Sequence, residues 1–184
     1  MSADPGFVNQ LMDGLMGYYV FIARRLAELD VDILAMADDI ASQTGMIISP
    51  PLWRRYIKPR MKAIVDAVRK VKKDLYVYYH SDGALNPIVP DLIEIGVDIL
   101  NPIQPECMDP AKVKIEYGNH LVIWGAISIQ KTLPQGTLAD IQEEVITRME
   151  TCGHGGGLVL GPSNNVLEDT PVENFLALYE ALKR

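Results

Sequence analysis

The run Tyr76-Val77-Tyr78-Tyr79 ends in His80-Ser81-Asp82-Gly83, which sets an imidazole and a carboxylate two residues apart after a stretch with the look of a buried strand. In extended chain, side chains at i and i+2 point the same way. An imidazole beside a carboxylate can orient a substrate, hold a proton or bind a metal. The competing reading of His80 is a plain hydrogen bond to a neighbouring loop. Four other apolar runs also end in polar residues. Asp38, Asp39 and Gln43 follow the first run, and Asn101, Gln104 and Glu106 the third. Ser128 and Gln130 follow the fourth, and Ser163, Asn164 and Asn165 the fifth. Asp38-Asp39 could take a cation or a cationic substrate group, or could be turn and capping carboxylates. Loops after strands are often polar merely because they meet water, so no single residue decides the matter. The recurrence at five strand ends carries more weight.

Parallel strands followed by helices bring all such ends to one face, where α/β enzymes do their chemistry. The pattern predicts this alternation. Apolar positions at helical spacing (Phe7, Leu11, Leu15, Tyr18, Tyr19, Ile22, Leu26, Leu29) predict a helix over 5–29, its Met and Tyr residues packing on the sheet. Strands are predicted at 32–37, 75–79, 97–100, 121–124 and 157–160. Helices are predicted at 51–71, capped by Ser49, and at 85–95. Asp109-Pro110 opens a short helix, Thr137 caps one running to about Thr151, and Thr170-Pro171-Val172-Glu173 forms a capping box for the last. Gly153-His154-Gly155-Gly156-Gly157 precedes a strand instead of opening a helix, so it reads as a tight turn and not a phosphate loop. The strand runs are apolar throughout, which predicts cover on both faces. The fold class is α/β with a parallel sheet of five strand–helix units, either an open doubly wound sheet or a stretch of an eight-fold barrel. No G-x-G-x-x-G or G-x-x-x-x-G-K-[ST] motif supports the nucleotide-binding open sheet.

The 184 residues form one domain, 1–184, and 48% apolar residues suffice for a sizeable core. A net charge of −7, with no basic cluster beyond Lys70, Lys72 and Lys73, argues against a nucleic-acid partner. No apolar run approaches the roughly 20 residues of a membrane span. Met1-Ser2-Ala3-Asp4 lacks the basic start and apolar core of a signal peptide. Cys107 and Cys152 stand alone, as reduced thiols of a cytoplasmic protein would.

Several motifs in order resemble one family. They are Asp38-Asp39 with Gln43-Thr44-Gly45, Ile48-Ser49-Pro50, Trp53 and Ile57-Lys58-Pro59; His80-Ser81-Asp82-Gly83; and Gly96-Val97-Asp98-Ile99-Leu100-Asn101-Pro102-Ile103-Gln104-Pro105. Gly156-Gly157-Leu158-Val159-Leu160-Gly161-Pro162-Ser163 and Asp169-Thr170-Pro171-Val172-Glu173-Asn174 complete the pattern. Together they resemble the uroporphyrinogen decarboxylase superfamily over essentially the whole chain. The resemblance implies a TIM (β/α)8 barrel, of which this chain holds the C-terminal five strand–helix units.

Some members of that superfamily decarboxylate uroporphyrinogen without a cofactor; others move methyl groups between corrinoid proteins, methyl donors and acceptors. The decarboxylases end their last strand in Gly-His-Gly, where this chain has Gly161-Pro162-Ser163. The His-Ser-Asp-Gly and Gly-Pro-Ser-Asn combination is more similar to the methyltransferase and O-demethylase branch. On that resemblance His80 and Asp82 are catalytic, binding or protonating the substrate heteroatom. Asp38, Asp39, Gln104, Ser128 and Asn164 bind and orient the substrate. Thiol-accepting members hold zinc on a His-x-Cys pair and a later Cys. Here Asp82 and Asn164 stand about where those cysteines fall, which leaves a harder His80, Asp82 and Glu106 set as the candidate metal site. No tightly bound cofactor is expected, and the corrinoid would belong to a partner protein. The alternatives are a porphyrinogen decarboxylase of heme biosynthesis, disfavoured by the negative charge, and an inactive half-barrel serving as an assembly partner. A closed barrel needs eight strands and about 250 residues. Five strands would leave apolar edges open, so a missing N-terminal half, a split enzyme or a homodimer is expected to cover them, with a fragment or truncated gene product favoured.

Overall fold

The computed structural model describes residues 4–183; Met1–Ala3, on which the expected lack of a signal peptide partly rests, lie outside the described residues. Helix α1 (Pro5–Ala27) is capped by Asp4, whose carboxylate accepts from the Phe7 N–H at 2.9 Å. Strand β1 (Ile33–Ala37) leads into a two-stranded hairpin, β2 (Ala41–Ser42) and β3 (Gly45–Met46), that the apolar pattern did not announce. The single helix expected over 51–71 is two, α2 (Pro50–Tyr56) and α3 (Lys58–Val71). Pro59 has no N–H to continue the ladder across Ile57, which ends one helix and opens the next. Ser49 sits at the cap of α2 but its side chain makes no capping bond.

Strand β4 (Tyr76–His80) follows, then a short 3₁₀ turn (Asn86–Ile88) and α4 (Val89–Ile95), closed by Gly96 in the left-handed conformation. Next come β5 (Ile99–Ile103), α5 (Pro110–Tyr117), β6 (Val122–Ile127) and α6 (Thr132–Gln135). Helix α7 (Leu138–Cys152) begins at the expected Thr137, which forms a reciprocal capping box with Asp140. Strand β7 (Leu158–Pro162) and α8 (Val172–Ala181) complete the chain. The capping box expected at Thr170 and Glu173 does not form: Pro171 occupies the cap, and the Thr170 N–H turns back to the Leu167 carbonyl. Asn174 anchors α8 instead, donating to the Leu133 and Gly136 carbonyls at 2.9 Å each.

The five long strands are parallel and lie in the order β1-β4-β5-β6-β7. Each new strand adds beside its predecessor, and the order never reverses. A doubly wound sheet needs a reversal to place helices on both faces; a barrel wall does not. Strand order therefore selects the partial barrel.

The main core lies between sheet and helices, where Val77, Tyr79, Leu100 and Ile123 meet Trp53, Met61, Val65 and Leu92. A second cluster joins Ile127 to Leu133, Ile141, Val145 and Leu178. The expectation that every strand is covered on both faces fails. On the concave side, Ile33, Tyr76 and Val159 are 41%, 54% and 39% exposed, because five strands make an open trough. Tyr78 and Trp124 meet edge to face on its floor, ring centroids 5.4 Å apart. The stripe of α1 also departs from expectation. Ala23 and Ala27 are buried on Leu34, Val68 and Leu75, whereas Phe7, Leu11, Tyr18 and Tyr19 are exposed. The helix rests on α3, with Arg60 bonded to Asp13 and Asn9, and the sheet ends before it covers the rest of the stripe. No helix among the described residues is long and apolar enough to cross a membrane. Cys107 and Cys152 are free thiols.

Candidate functional site

The polar strand ends do share one rim. His80 is the last residue of β4 and pairs in register with Ala37 of β1 and Asn101 of β5. In parallel strands, residues in register point to the same face, so the Asn101 side chain lies beside the imidazole. His80 Nδ1 is 2.7 Å from Asn101 Oδ1, while Asn101 Nδ2 donates to the Trp124 carbonyl at 3.4 Å. That pairing fixes the amide and assigns the ring proton to Nδ1. Nε2 then faces outward, 4.0 Å from Asp39 Oδ1 and 3.9 Å from Asp82 Oδ1.

The β2–β3 hairpin brings Asp39 there. The Ile40 N–H donates to Ser81 Oγ at 3.2 Å, and the Ala84 N–H to the Ser42 carbonyl at 2.9 Å. Asp39 Oδ1 accepts from the Asp82 N–H at 3.1 Å. Gly83 makes the close crossing feasible: its φ is +91°, and a Cβ there would sit 2.5 Å from the Ser42 carbonyl oxygen. Across the mouth, Gln43 Nε2 donates to Gln130 Oε1 at 3.0 Å. Asn164, after β7, donates through Nδ2 to Asp82 Oδ2 at 2.5 Å. The other carboxylate oxygen, Asp82 Oδ1, is enclosed and has no hydrogen-bond partner. Burial raises the Asp82 carboxyl above its ordinary value; the His80 ring and the Asn164 bond oppose the rise, and the Asp39 charge adds to it.

Asp39, His80, Asp82 and Asn164 thus converge as the sequence suggests. Asp38 does not join them. It turns to the helix side of the sheet and accepts from the Tyr79 hydroxyl. There it borders an apolar cavity of about 410 Å³ lined by Met12, Met16, Leu34 and Met61. Burial, more than any neighbour, raises the Asp38 carboxyl, and burial likewise raises the Tyr79 phenol. Glu106, expected as the third metal donor beside His80 and Asp82, lies elsewhere on the rim, where it accepts from Ser128 Oγ. Asp39 takes its place: one donor atom each from Asp39, His80 and Asp82 lie within 4.8 Å of one another. Ser128 is buried, and its N–H points at Glu144, which Arg148 pairs at 3.0 Å. Gln104, just after β5, is buried. Burial, then the Glu106 and Asp82 charges, push the Cys107 thiol up, away from a nucleophilic thiolate. Asn101 carries more of the site than its place in the sequence implied; only strand register reveals that it orients His80.

The family model for uroporphyrinogen decarboxylase (URO-D) matches residues 1–184. The chain belongs to the uroporphyrinogen decarboxylase family. No curated protein matches the sequence. Among solved structures, a methyltransferase from Methanosarcina mazei is similar, with a TM-score of 0.75 and 26% identity over 95% of this chain. This chain spans 48% of that structure's length. The family member described here is therefore one wall of a barrel mouth, with its polar rim on one side and its open trough on the other.

The zinc that the thiolate-bearing relatives imply does not fit these residues. Neither thiolate position holds a cysteine, and Asn164 spends its amide N–H₂ on Asp82.

Proposed function

We propose that this chain works as part of a methyltransferase, moving a methyl group between a small donor or acceptor and a corrinoid protein. The observation that supports it best is the oriented imidazole. Asn101 holds His80 so that Nε2 faces two carboxylates at the mouth of a fold similar to a methyltransferase. Methyl transfer requires in-line approach, so the protein's task is positioning. His80 and Asp82 meet the heteroatom that gives up or receives the methyl group. Asp39 accepts from the Asp82 backbone N–H and Asn164 donates to the carboxylate Oδ2, so main chain and side chain of Asp82 are both held. A corrinoid on the partner supplies the cobalt–methyl chemistry when present. The trough exposing Ile33, Tyr76 and Val159 accepts a complementary strand–helix segment that closes the mouth and excludes water.

Mass spectrometry of the chain with a corrinoid protein and a methoxylated aromatic or methylamine donor tests this. The expected result is methyl loss from the donor, abolished in His80→Ala. Coproporphyrinogen formed from uroporphyrinogen, with donors untouched, would overturn it. Light scattering tests the closing segment, since a monodisperse, stable monomer would contradict the need for one.

A further inference from the structure

A fault in the β5–β6 ladder lies directly behind the oriented imidazole. The pairs Ile99–Val122 and Leu100–Ile123 are regular, but the next is Ile103–Gly125, so Asn101 and Pro102 together oppose Trp124. Such a bulge re-aims the side chains it carries. The Val122 N–H donates to the Asp98 carbonyl. Continued by the alternation of a parallel ladder, that pattern makes residue 102 the donor to the Trp124 carbonyl. Proline has no N–H to give. The Asn101 side chain takes its place, donating through Nδ2 to Trp124 at 3.4 Å while its Oδ1 holds His80 Nδ1. The ring proton at the mouth therefore depends on where the Trp124 carbonyl sits.

Two residues on, Ala126 has a φ of +74°, and among the described residues it is the one non-glycine in the left-handed region. Alanine is strained there and stays only where its surroundings impose it. Those surroundings are on α7. Arg148 Nε donates to the Ala126 carbonyl at 3.0 Å. Arg148 Nη2 pairs with Glu144 at 3.0 Å, and Glu144 also accepts from the Ser128 N–H. The Arg148 and Glu144 side chains are only 18% and 10% exposed, so the clamp is shielded from water. Beyond Ala126, the Ser163 N–H fixes the Ile127 carbonyl at 2.9 Å. With the chain pinned from Ile127 onward, a relaxing Ala126 swings the residues before it, and these carry the Trp124 carbonyl.

We infer that Arg148 is a remote positioning residue for His80. By holding Ala126 in its strained conformation it keeps the Trp124 carbonyl against the Asn101 amide, and so keeps the imidazole proton on Nδ1. This deepens the methyltransferase reading and rests on the mouth being the working site. Nε2 then presents a lone pair that can take a proton from the substrate heteroatom. A loosened Asn101 lets the ring carry its proton on either nitrogen. The competing role for Arg148 is an i, i+4 ion pair that steadies α7 and nothing more.

Imidazole nitrogen chemical shifts of ¹⁵N-labelled protein separate the two, with no methyl donor present and at about pH 8.5, where imidazoles are neutral. Three histidines need assignment. The natural chain is expected to show His80 protonated at Nδ1 and not at Nε2. In Arg148→Met the two shifts draw together, the tautomer ratio falling about fivefold, which is the weight of one ordinary hydrogen bond. Ala126→Gly added to Arg148→Met restores the natural pattern, because glycine adopts the left-handed φ without strain and needs no clamp. Ala126→Gly alone leaves the pattern unchanged. Should Arg148→Met fail to fold, Glu144→Gln is read in the same way, since it weakens the clamp and keeps an acceptor for Ser128. An unchanged His80 pattern in the folded clamp variant, or a change that glycine at 126 does not reverse, would overturn the inference. Methyl loss is measured separately: donors left intact by the natural chain defeat the methyltransferase reading and leave the tautomer result standing.

Discussion

Replacing Gly83 by alanine isolates the crossing that carries Asp39 to His80. A Cβ at this position meets the Ser42 carbonyl oxygen at 2.5 Å and the Ala41 and Ser42 carbonyl carbons at 2.8 Å. All three are backbone atoms, so no side chain can swing aside. The φ of +91° adds a left-handed cost of about 1–2 kcal/mol for an L-residue. The hairpin must lift, breaking the bonds from Ala84 N–H to Ser42 and from Ile40 N–H to Ser81, worth roughly 1 kcal/mol each. The expected loss is about 3–4 kcal/mol in all, a fall of about 6–16 °C in thermal midpoint for a chain of this size. Gly155→Ala is the control, because its φ is +74° but nothing lies within 4 Å of the added carbon. Only the backbone cost applies there. Circular dichroism melts and urea titrations read both. Equal destabilisation of the two variants would refute the close crossing.

Three further outcomes follow from the same geometry. Asn101→Ala leaves the His80 Nδ1–H without its amide acceptor, costing about 1–3 kcal/mol in a urea titration. The Asp38 carboxyl is raised in the folded chain, so its stabilising contribution is fully present below its ordinary 3.8 and is lost as pH rises through the folded value. Asp38→Asn, which still accepts from Tyr79, is expected to melt higher than the natural chain at pH 7 and equally near pH 3. Asp91 runs the other way: burial alone would raise it, but the Arg54 and Lys58 hydrogen bonds at 2.9 and 2.8 Å outweigh that and lower it. Its contribution is present above its ordinary 3.8 and lost as pH falls through the lowered value, so Asp91→Asn lowers the melting midpoint at pH 7 and hardly at pH 2.

The sequence carried the elements and most of the rim, because those signals are local. Apolar runs of five or so residues ending in His80, Gln104 and Ser128 mark parallel strands and the side on which their ends gather. Thr137 followed by Asp140 marks a helix start within four residues. Where the cue was equally local but a proline intervened, it misled: Pro59 split one expected helix, and Pro171 took the cap that Thr170 was expected to fill.

What the chain order of residues could not supply was which distant groups face one another. Asp38 and Asp39 are adjacent and chemically alike, yet extended backbone sends one to Tyr79 behind the sheet and the other to His80 before it. Glu106 was the expected third donor beside His80 and Asp82, but the hairpin closes over Gly83 and draws Asp39 in, while Ser128 captures Glu106. Strand order, a property of pairing between runs 21 to 43 residues apart, chose barrel over open sheet and left the apolar trough uncovered. Composition and period thus determined what the elements are. Register and closure, set by long-range hydrogen bonds and packing, decided which side chains share a site.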